Sequence, residues 1–337
     1  MQDCVLQDLD LSGLDLERLA RSAAGAVFLG CQLPDGGLAR LSEVGALVLP
    51  RLPGLPFNPY RTRLYSWQEL RDDDLDLRIY QHFLARGRSQ PDVVEALAER
   101  LHDHAIEDAV RQFLAGGPRM VGIMGGHSVP RDHPDYARTA EVARRLVQEG
   151  YTVATGGGPG LMEAGNLGAY LGNRSAAELE QALTILRADD DHYRPAIQVL
   201  ERFPEGCSSL AVPTWFYGHE PSNVFASAIA KFFSNSLRED GLLAMCLHGV
   251  IYSRGSAGTT QEIFQDAAQN HYCTFGWYSP MVFLGRQRYE QETRLYETLK
   301  QLAGTQTYAS MLFLSDSPEE VVAHIVSHPP IPRKAGC

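Results

Sequence analysis

From Met120 onward, short apolar runs alternate with segments of helical period, and this alternation constrains the fold more than any other feature. Strands are expected at Met120–Met124, Tyr151–Thr155, Ser209–Pro213, Gly249–Tyr252, Met281–Leu284 and Met311–Leu314. Helices are expected at Pro134–Glu149, Gly160–Leu171, Ser222–Leu237, Gly258–Gln269, Arg288–Leu302 and Pro318–Val326. Strands spaced in this way need crossover helices, so the pattern predicts an α/β fold: a doubly wound, mostly parallel, Rossmann-like sheet with helices on both faces. Such sheets bind ligands beyond the carboxyl ends of their strands. The turns after Met124, Thr155 and Tyr252 are therefore the places to look for chemistry.

The N-terminal part has a different texture. Leu6, Leu11 and Leu16 recur every five residues, with Leu9, Leu14 and Leu19 as a second series, and Phe28, Leu33 and Leu38 continue the spacing. This is neither a helix nor a strand period. It resembles a few pentapeptide repeats of a β-solenoid, or else a leucine-rich irregular segment packed on the main domain; so few solenoid coils would need a neighbour to bury their inner face. Pro50, Pro53, Pro56 and Pro59 then remove amide donors from LPRLPGLPFNPY, which reads as an extended or surface-lying segment. A helix is expected from Pro91 to the Gly116–Gly117 pair. The chain thus divides into an appendage with a proline-rich linker at 1–60, a helical connection at 61–117 and an α/β domain at 118–330.

The 337 residues are 44% hydrophobic, enough for a large core, and carry a formal net charge of −11. That charge opposes attraction to nucleic acid or an anionic membrane, so any phosphate must be held by local donors. No apolar stretch reaches the ~18 residues of a membrane span. The acidic start MQDCVLQDLDL is unlike a signal peptide, and the expected location is cytoplasmic. Cys4, Cys31, Cys207, Cys246, Cys273 and Cys337 are far apart and are read as reduced, Cys246 in the core. No metal-ligand spacing and no resident cofactor are indicated; His102-Asp103-His104 reads as a solvated helix face.

Three glycine turns follow the expected strands. In Gly125-Gly126-His127-Ser128, the glycines allow close approach to the backbone and Ser128 offers a hydroxyl, although a tight connection needs glycine anyway. In Gly156-Gly157-Gly158-Pro159-Gly160, a strand runs into a helix whose free amides and positive dipole end form a ready anion site. In Arg254-Gly255-Ser256-Ala257-Gly258-Thr259-Thr260-Gln261-Glu262, the backbone can wrap an anion while both threonines donate. There Glu262 either faces the ligand or caps its own helix through Thr259. Neither G-x-G-x-x-G nor G-K-[ST] is present, which removes a dinucleotide-dependent dehydrogenase and a P-loop.

The second and third turns together resemble the Lonely Guy family of the Rossmann-type nucleotide 5′-monophosphate nucleosidases, over about residues 118 to 328. Gly156-Gly157-Gly158-Pro159-Gly160-Leu161-Met162 matches the family's G-G-G-x-G-x-M, continued by Glu163-Ala164. The other mark, P-G-G-x-G-T-x-x-E, stands here with Arg254 for proline and Ser256 for the second glycine. The resemblance implies hydrolysis of the N-glycosidic bond of a nucleoside monophosphate to free base and ribose 5-phosphate, by a homodimer. It further implies phosphate on Gly255, Ser256, Gly258, Thr259 and Thr260, with Gly126, Ser128, Gly156, Gly157, Gly158, Gly160, Met162 and Glu163 lining the remaining site. Glu262 would then face the ribose, and Arg238 would hold phosphate or steer Glu262 and keep it ionised. Arg254 would put a cation at the mouth of the phosphate turn, and Ser256 a β-carbon against the ligand. These two departures keep open a binding, sensing or carrier protein without catalysis.

Between these turns lies LAVPTWFYGHEPSNVFASAIAKFF. One ring of Trp215, Phe216 or Tyr217 would stack on a base, or pack in the core, and His219, Glu220 and Asn223 would read its edge. Lys231 reads as a surface or dimer residue.

Overall fold

A computed structural model describes residues 4–87 and 91–333; Met1 to Asp3 of the acidic start and Cys337 lie outside the described residues. The chain forms two compact units, one of residues 1–64 and 74–113, the other of residues 65–73 and 114–337.

In the first unit β1 (Val5–Gln7), α1 (Leu16–Arg21), β2 (Val27–Leu29), α2 (Gly37–Glu43) and β3 (Leu47–Leu49) make a three-stranded parallel sheet in the order β1-β2-β3. Val5 lies opposite Val27, and Val27 opposite Leu47. Leu6, Phe28 and Val48 consequently stack in register, and they join Leu19, Leu41, Ala26 and Ala46 in one cluster. The pentapeptide reading is thereby corrected. The unit that recurs is a strand plus a helix of about 22 residues, within the length of strand–helix solenoid repeats. The five-residue spacing misleads because it crosses a strand, a turn and a helix. Its second series does not point inward throughout, since Leu9 and Leu14 are 43% and 51% exposed.

The second unit opens with α3 (Trp67–Arg71), after which the first resumes with α4 (Leu75–Ala85) and α5 (Val93–Phe113). His102 and Asp103 lie on the buried side of α5, their side chains 3.2 Å apart, with the His102 ring edge-on to Phe57. Burial holds His102 below the usual imidazole range. Only His104 meets solvent, so the solvated-face reading holds for one residue of the three.

The second unit continues β4 (Met120–Met124), α6 (Pro134–Gln148), β5 (Thr152–Thr155), α7 (Leu161–Tyr170), α8 (Ala176–Arg187), α9 (Arg194–Arg202), β6 (Ser209–Ala211), β7 (Ala228–Ile229), α10 (Asn235–Met245), β8 (Val250–Tyr252) and α11 (Ala257–Tyr272). It closes with β9 (Trp277–Tyr278), β10 (Met281–Leu284), α12 (Leu295–Ala303), β11 (Leu312–Ser315), α13 (Pro318–Ser327) and β12 (Ile331–Pro332). Seven strands form one sheet, β11-β10-β8-β4-β5-β6-β7, in which every neighbouring pair is parallel. The chain leaves β4 toward β7 and then returns to β8 on the other side of β4. That reversal between β4 and β8 is a topological switch point, where two turns diverge and leave a crevice.

Strand alternation builds both faces. Val121, Ile123, Val153, Ile251 and Val282 pack with α6 and α13, whereas Gly122 lies against Cys246, which is buried at the end of α10. The described cysteines are free thiols, and no helix among the described residues is long and apolar enough to cross a membrane.

Two expected helices are corrected. Ser222–Leu237 is extended up to α10, because Val224, Phe225, Ile229, Ala230, Phe232 and Phe233 are buried without helical period and Ala228–Ile229 adds an edge strand to β6. Such short apolar runs are ambiguous until tertiary burial decides them. Arg288–Leu302 is broken into a π-helical turn, Gln287–Glu292, and α12, by Arg294 in the left-handed region at φ +55°.

α6 and α7 touch closely enough that a β-carbon on Gly168 would fall on the Ala140 carbonyl. Gly168→Ala is expected to destabilise the protein by roughly 1–3 kcal/mol through overpacking, read as a lowered urea midpoint. A midpoint unchanged or raised would contradict this packing.

Candidate functional site

The turns after β4, β5 and β8 converge on a cleft of about 490 Å³. Gly125, Gly126 and His127 come from the first turn, Gly156 and Met162 from the second, and Ser256 to Thr259 with Gln261 and Glu262 from the third; Thr214, Tyr217, Gly218, Glu220, Arg238 and Glu239 complete the walls.

The second turn is shaped by what its glycines leave room for. Gly157 and Gly160 sit at φ +78° and +68°, where a side chain is strained. A β-carbon on Gly160 would lie 2.8 Å from the His127 carbonyl oxygen, so the first two turns stack backbone on backbone. The Leu161 amide at the start of α7 donates to the Gly126 carbonyl at 3.1 Å, which withdraws it from any ligand. At Gly156 a β-carbon would fall on Arg238 Nη2 and 2.7 Å from Met162 Sδ; at Gly158 it would lie 2.5 Å from Glu220 Oε2. These two glycines admit neighbouring side chains to the cleft.

The third turn offers the open anion seat. Ser256 is the N-cap residue of the 16-residue α11, and its side chain makes no capping bond. The first amides of a helix have no intrahelical partner, and those of Ala257, Gly258 and Thr259 belong to cleft-lining residues. Ser256 has φ −111°, which any L-residue adopts, so the departure from glycine carries no backbone strain.

Arg254 does not stand at the mouth of the cleft, which corrects that expectation. Its guanidinium is drawn away to Glu292 at 2.6 Å and Asp135 at 3.5 Å. The π-helical turn that carries Glu292 also sends Arg288 Nη2 to the Gly255 carbonyl and the Tyr289 hydroxyl to the Ser253 carbonyl, both at 2.6 Å. Three consecutive residues of the third turn are therefore braced from behind.

Arg238 and Glu262 meet in the wall, 6% and 8% exposed. Arg238 Nη1 donates to Glu262 Oε1 at 3.1 Å and Nε to the Val212 carbonyl at 2.8 Å; Glu239 lies 3.7 Å from Nη1 and accepts from Gln261. Glu262 makes this pair rather than a capping box with Thr259. Burial raises the Glu262 pKa despite the guanidinium, and Glu239 adds to the rise. Arg238 opposes that rise, as expected of an adjacent guanidinium, but desolvation outweighs the pair. One turn along α11, Asp266 is held by the Tyr252 hydroxyl and the Asn270 amide, and burial pushes it up to about 7.

Several expected residues lie elsewhere. Ser128 is exposed outside the lining. Glu163 is buried and engaged by Arg131 at 2.6 Å and by the Tyr136 hydroxyl at 2.8 Å. The Thr260 hydroxyl donates to the Ser256 carbonyl of its own helix. Asn223 is buried against Asn166 and reads no ligand edge, and Trp215 is core. Lys231, expected at the surface, is 2% exposed with its ammonium 5.2 Å from the Trp215 ring. Glu239 and Gln261 were not expected at the site; their only signal is adjacency to Arg238 and Glu262.

Gly156→Ala would push a methyl group onto the Arg238 guanidinium and separate it from Glu262. A destabilisation of roughly 1–3 kcal/mol by overpacking is expected, read as a lowered urea midpoint. Gly241→Ala, on α10 with open space at the new carbon, is the control that keeps the midpoint. Equal midpoints for Gly156→Ala and the natural protein would contradict the geometry.

No protein-family model matches the chain, and no curated protein matches it. Among solved structures, the chain is similar to the molybdenum cofactor binding protein of Rippkaea orientalis, at 16% identity over 62% of this chain and 96% of that one, with a TM-score of 0.40. It is likewise similar to the molybdenum cofactor carrier protein of Chlamydomonas reinhardtii, at 13% identity over 63% of this chain and 99% of that one, TM-score 0.40. At such scores the function is left to the geometry of the cleft.

Proposed function

We propose that the protein binds a nucleoside 5′-monophosphate and hydrolyses its N-glycosidic bond, as a member of the Lonely Guy family acting as a homodimer. The observation that carries this reading is the buried Arg238–Glu262 pair in a cleft also lined by the first turn of α11, the helix of Glu262, whose N-terminus has no side-chain cap. Phosphate is seated on the amides of Ala257 to Thr259, where the helix dipole and unpaired donors favour an anion. The ribose then lies toward Glu262. As the bond from C1′ to the base nitrogen lengthens, positive charge grows on the sugar and the Glu262 carboxylate stabilises it. Water adds its oxygen to C1′, its released proton balances the charge on the departing base, and the products are free base and ribose 5-phosphate. Arg238, tied to the Val212 carbonyl, positions Glu262.

A second reading, ligand binding without turnover, is favoured by one observation: Ser256 stands at the N-cap of α11 where the family pattern has glycine, and its β-carbon lines the cleft beside the anion seat. Release of free base from a panel of nucleoside monophosphates separates the two. Catalysis predicts a kcat/KM that falls as the pH drops through the elevated Glu262 pKa and levels off above it, because the ionised form acts. Glu262→Gln is expected to lose roughly 100-fold or more. Binding without base release at any pH would establish the second reading instead.

A further inference from the structure

One carboxylate in the cleft is not used by the fold itself. Glu220 lines the cleft on the irregular segment after β6, and among the described residues it has no hydrogen bond or ion pair. The other charged groups there have partners, Arg238 and Glu262 each other and Glu239 the Gln261 amide. A half-buried carboxylate without a partner forfeits interactions that a ligand can restore.

Its position says which part of a ligand it meets. Glu220 Oε2 and the Met162 methyl group share the space at Gly158, 2.5 and 2.7 Å from where a β-carbon would be. The Met162 thioether and the Tyr217 ring, whose hydroxyl meets Asn235 at 2.9 Å, both line the cleft with Glu220 and suit the face of an aromatic heterocycle. A phosphate beside Glu220 would be repelled, and the amides that suit an anion belong to α11. The ligand is therefore polarised across the cleft: anion on the third turn, hydrogen-bond donors on the second.

Carboxylates accept most strongly from two parallel N–H donors on one rigid edge. Guanine offers such a pair, its ring N1–H beside the 2-amino group, whereas adenine alternates donor and acceptor and hypoxanthine lacks the amino group. We infer that Glu220 is the specificity-determining residue of this cleft and selects a base whose edge presents two adjacent N–H donors, as guanine does. This rests on the nucleotide-binding reading above and names its substrate class.

Calorimetric titration of the full chain with GMP, IMP and AMP, alongside Glu220→Gln, tests it. The natural protein is expected to bind GMP roughly tenfold or more tightly than IMP or AMP. In Glu220→Gln, whose amide sets a donor against a donor, the advantage is expected to shrink to about twofold, with affinity for ribose 5-phosphate retained as evidence of a folded third turn. Equal affinity for GMP and IMP in the natural protein, or an undiminished GMP preference in Glu220→Gln, overturns the inference while leaving nucleotide binding in place. Binding of none of the nucleotides and no ribose 5-phosphate overturns the nucleotide-binding reading itself, and this inference with it.

Discussion

The Arg238–Glu262 pair is the interaction on which the architecture of the cleft depends. Two charged groups are withdrawn from water in one wall, and such a pair is tolerated only when geometry and further hydrogen bonds compensate for lost hydration. The Val212 carbonyl takes one guanidinium donor, Glu262 another, and Glu239 stands within reach of the same nitrogen. Gly156 has no side chain because the guanidinium occupies that space. A glycine of the second turn and an acid of the third are thus linked through one arginine on α10, which brings two motifs about a hundred residues apart into one cleft.

The sheet order supplies the space for that pair. Because β8 returns beside β4 after the chain has run out to β7, the connections leaving β4 and β8 diverge, and the crevice between them opens onto α11. The π-helical turn Gln287–Glu292 then fixes the third turn from outside the cleft, with Arg288, Tyr289 and Glu292 holding residues 255, 253 and 254 in succession. π-turns are rare and concentrate at functional sites. Here the turn also accounts for Arg254: a residue that reads in the sequence as a cation beside the ligand is the outer half of a brace.

The central strands were legible because a fully buried parallel strand is a short apolar run ending in a turn, and MVGIM before Gly125 and TVAT before Gly156 have that form. The switch-point turns followed, and with them Arg238 and Glu262, which the structure brings to 3.1 Å. Less was legible where polarity alone was the guide. Lys231 reads as a surface or dimer residue and His102 as solvated because charge usually lies outside, yet one lies against Trp215 and the other on Asp103 and Phe57; partners distant or hidden in the fold leave no local mark. The leucines near the N-terminus failed for a different reason. Their short spacing obscured the longer period of about 22 residues that stacks Leu6, Phe28 and Val48. The rise of the Glu262 pKa could not be read either, since it turns on burial, a property of the assembled walls.

The central claim is that the anion sits on the start of α11 and the sugar faces Glu262. A crystal structure of the protein with a nucleoside monophosphate tests this most directly. The account predicts phosphate oxygens within hydrogen-bond distance of the amides of Ala257 to Thr259, C1′ beside the Glu262 carboxylate and the base beside Glu220. Phosphate bound instead on Gly156 to Gly160, with the start of α11 unoccupied, would contradict it.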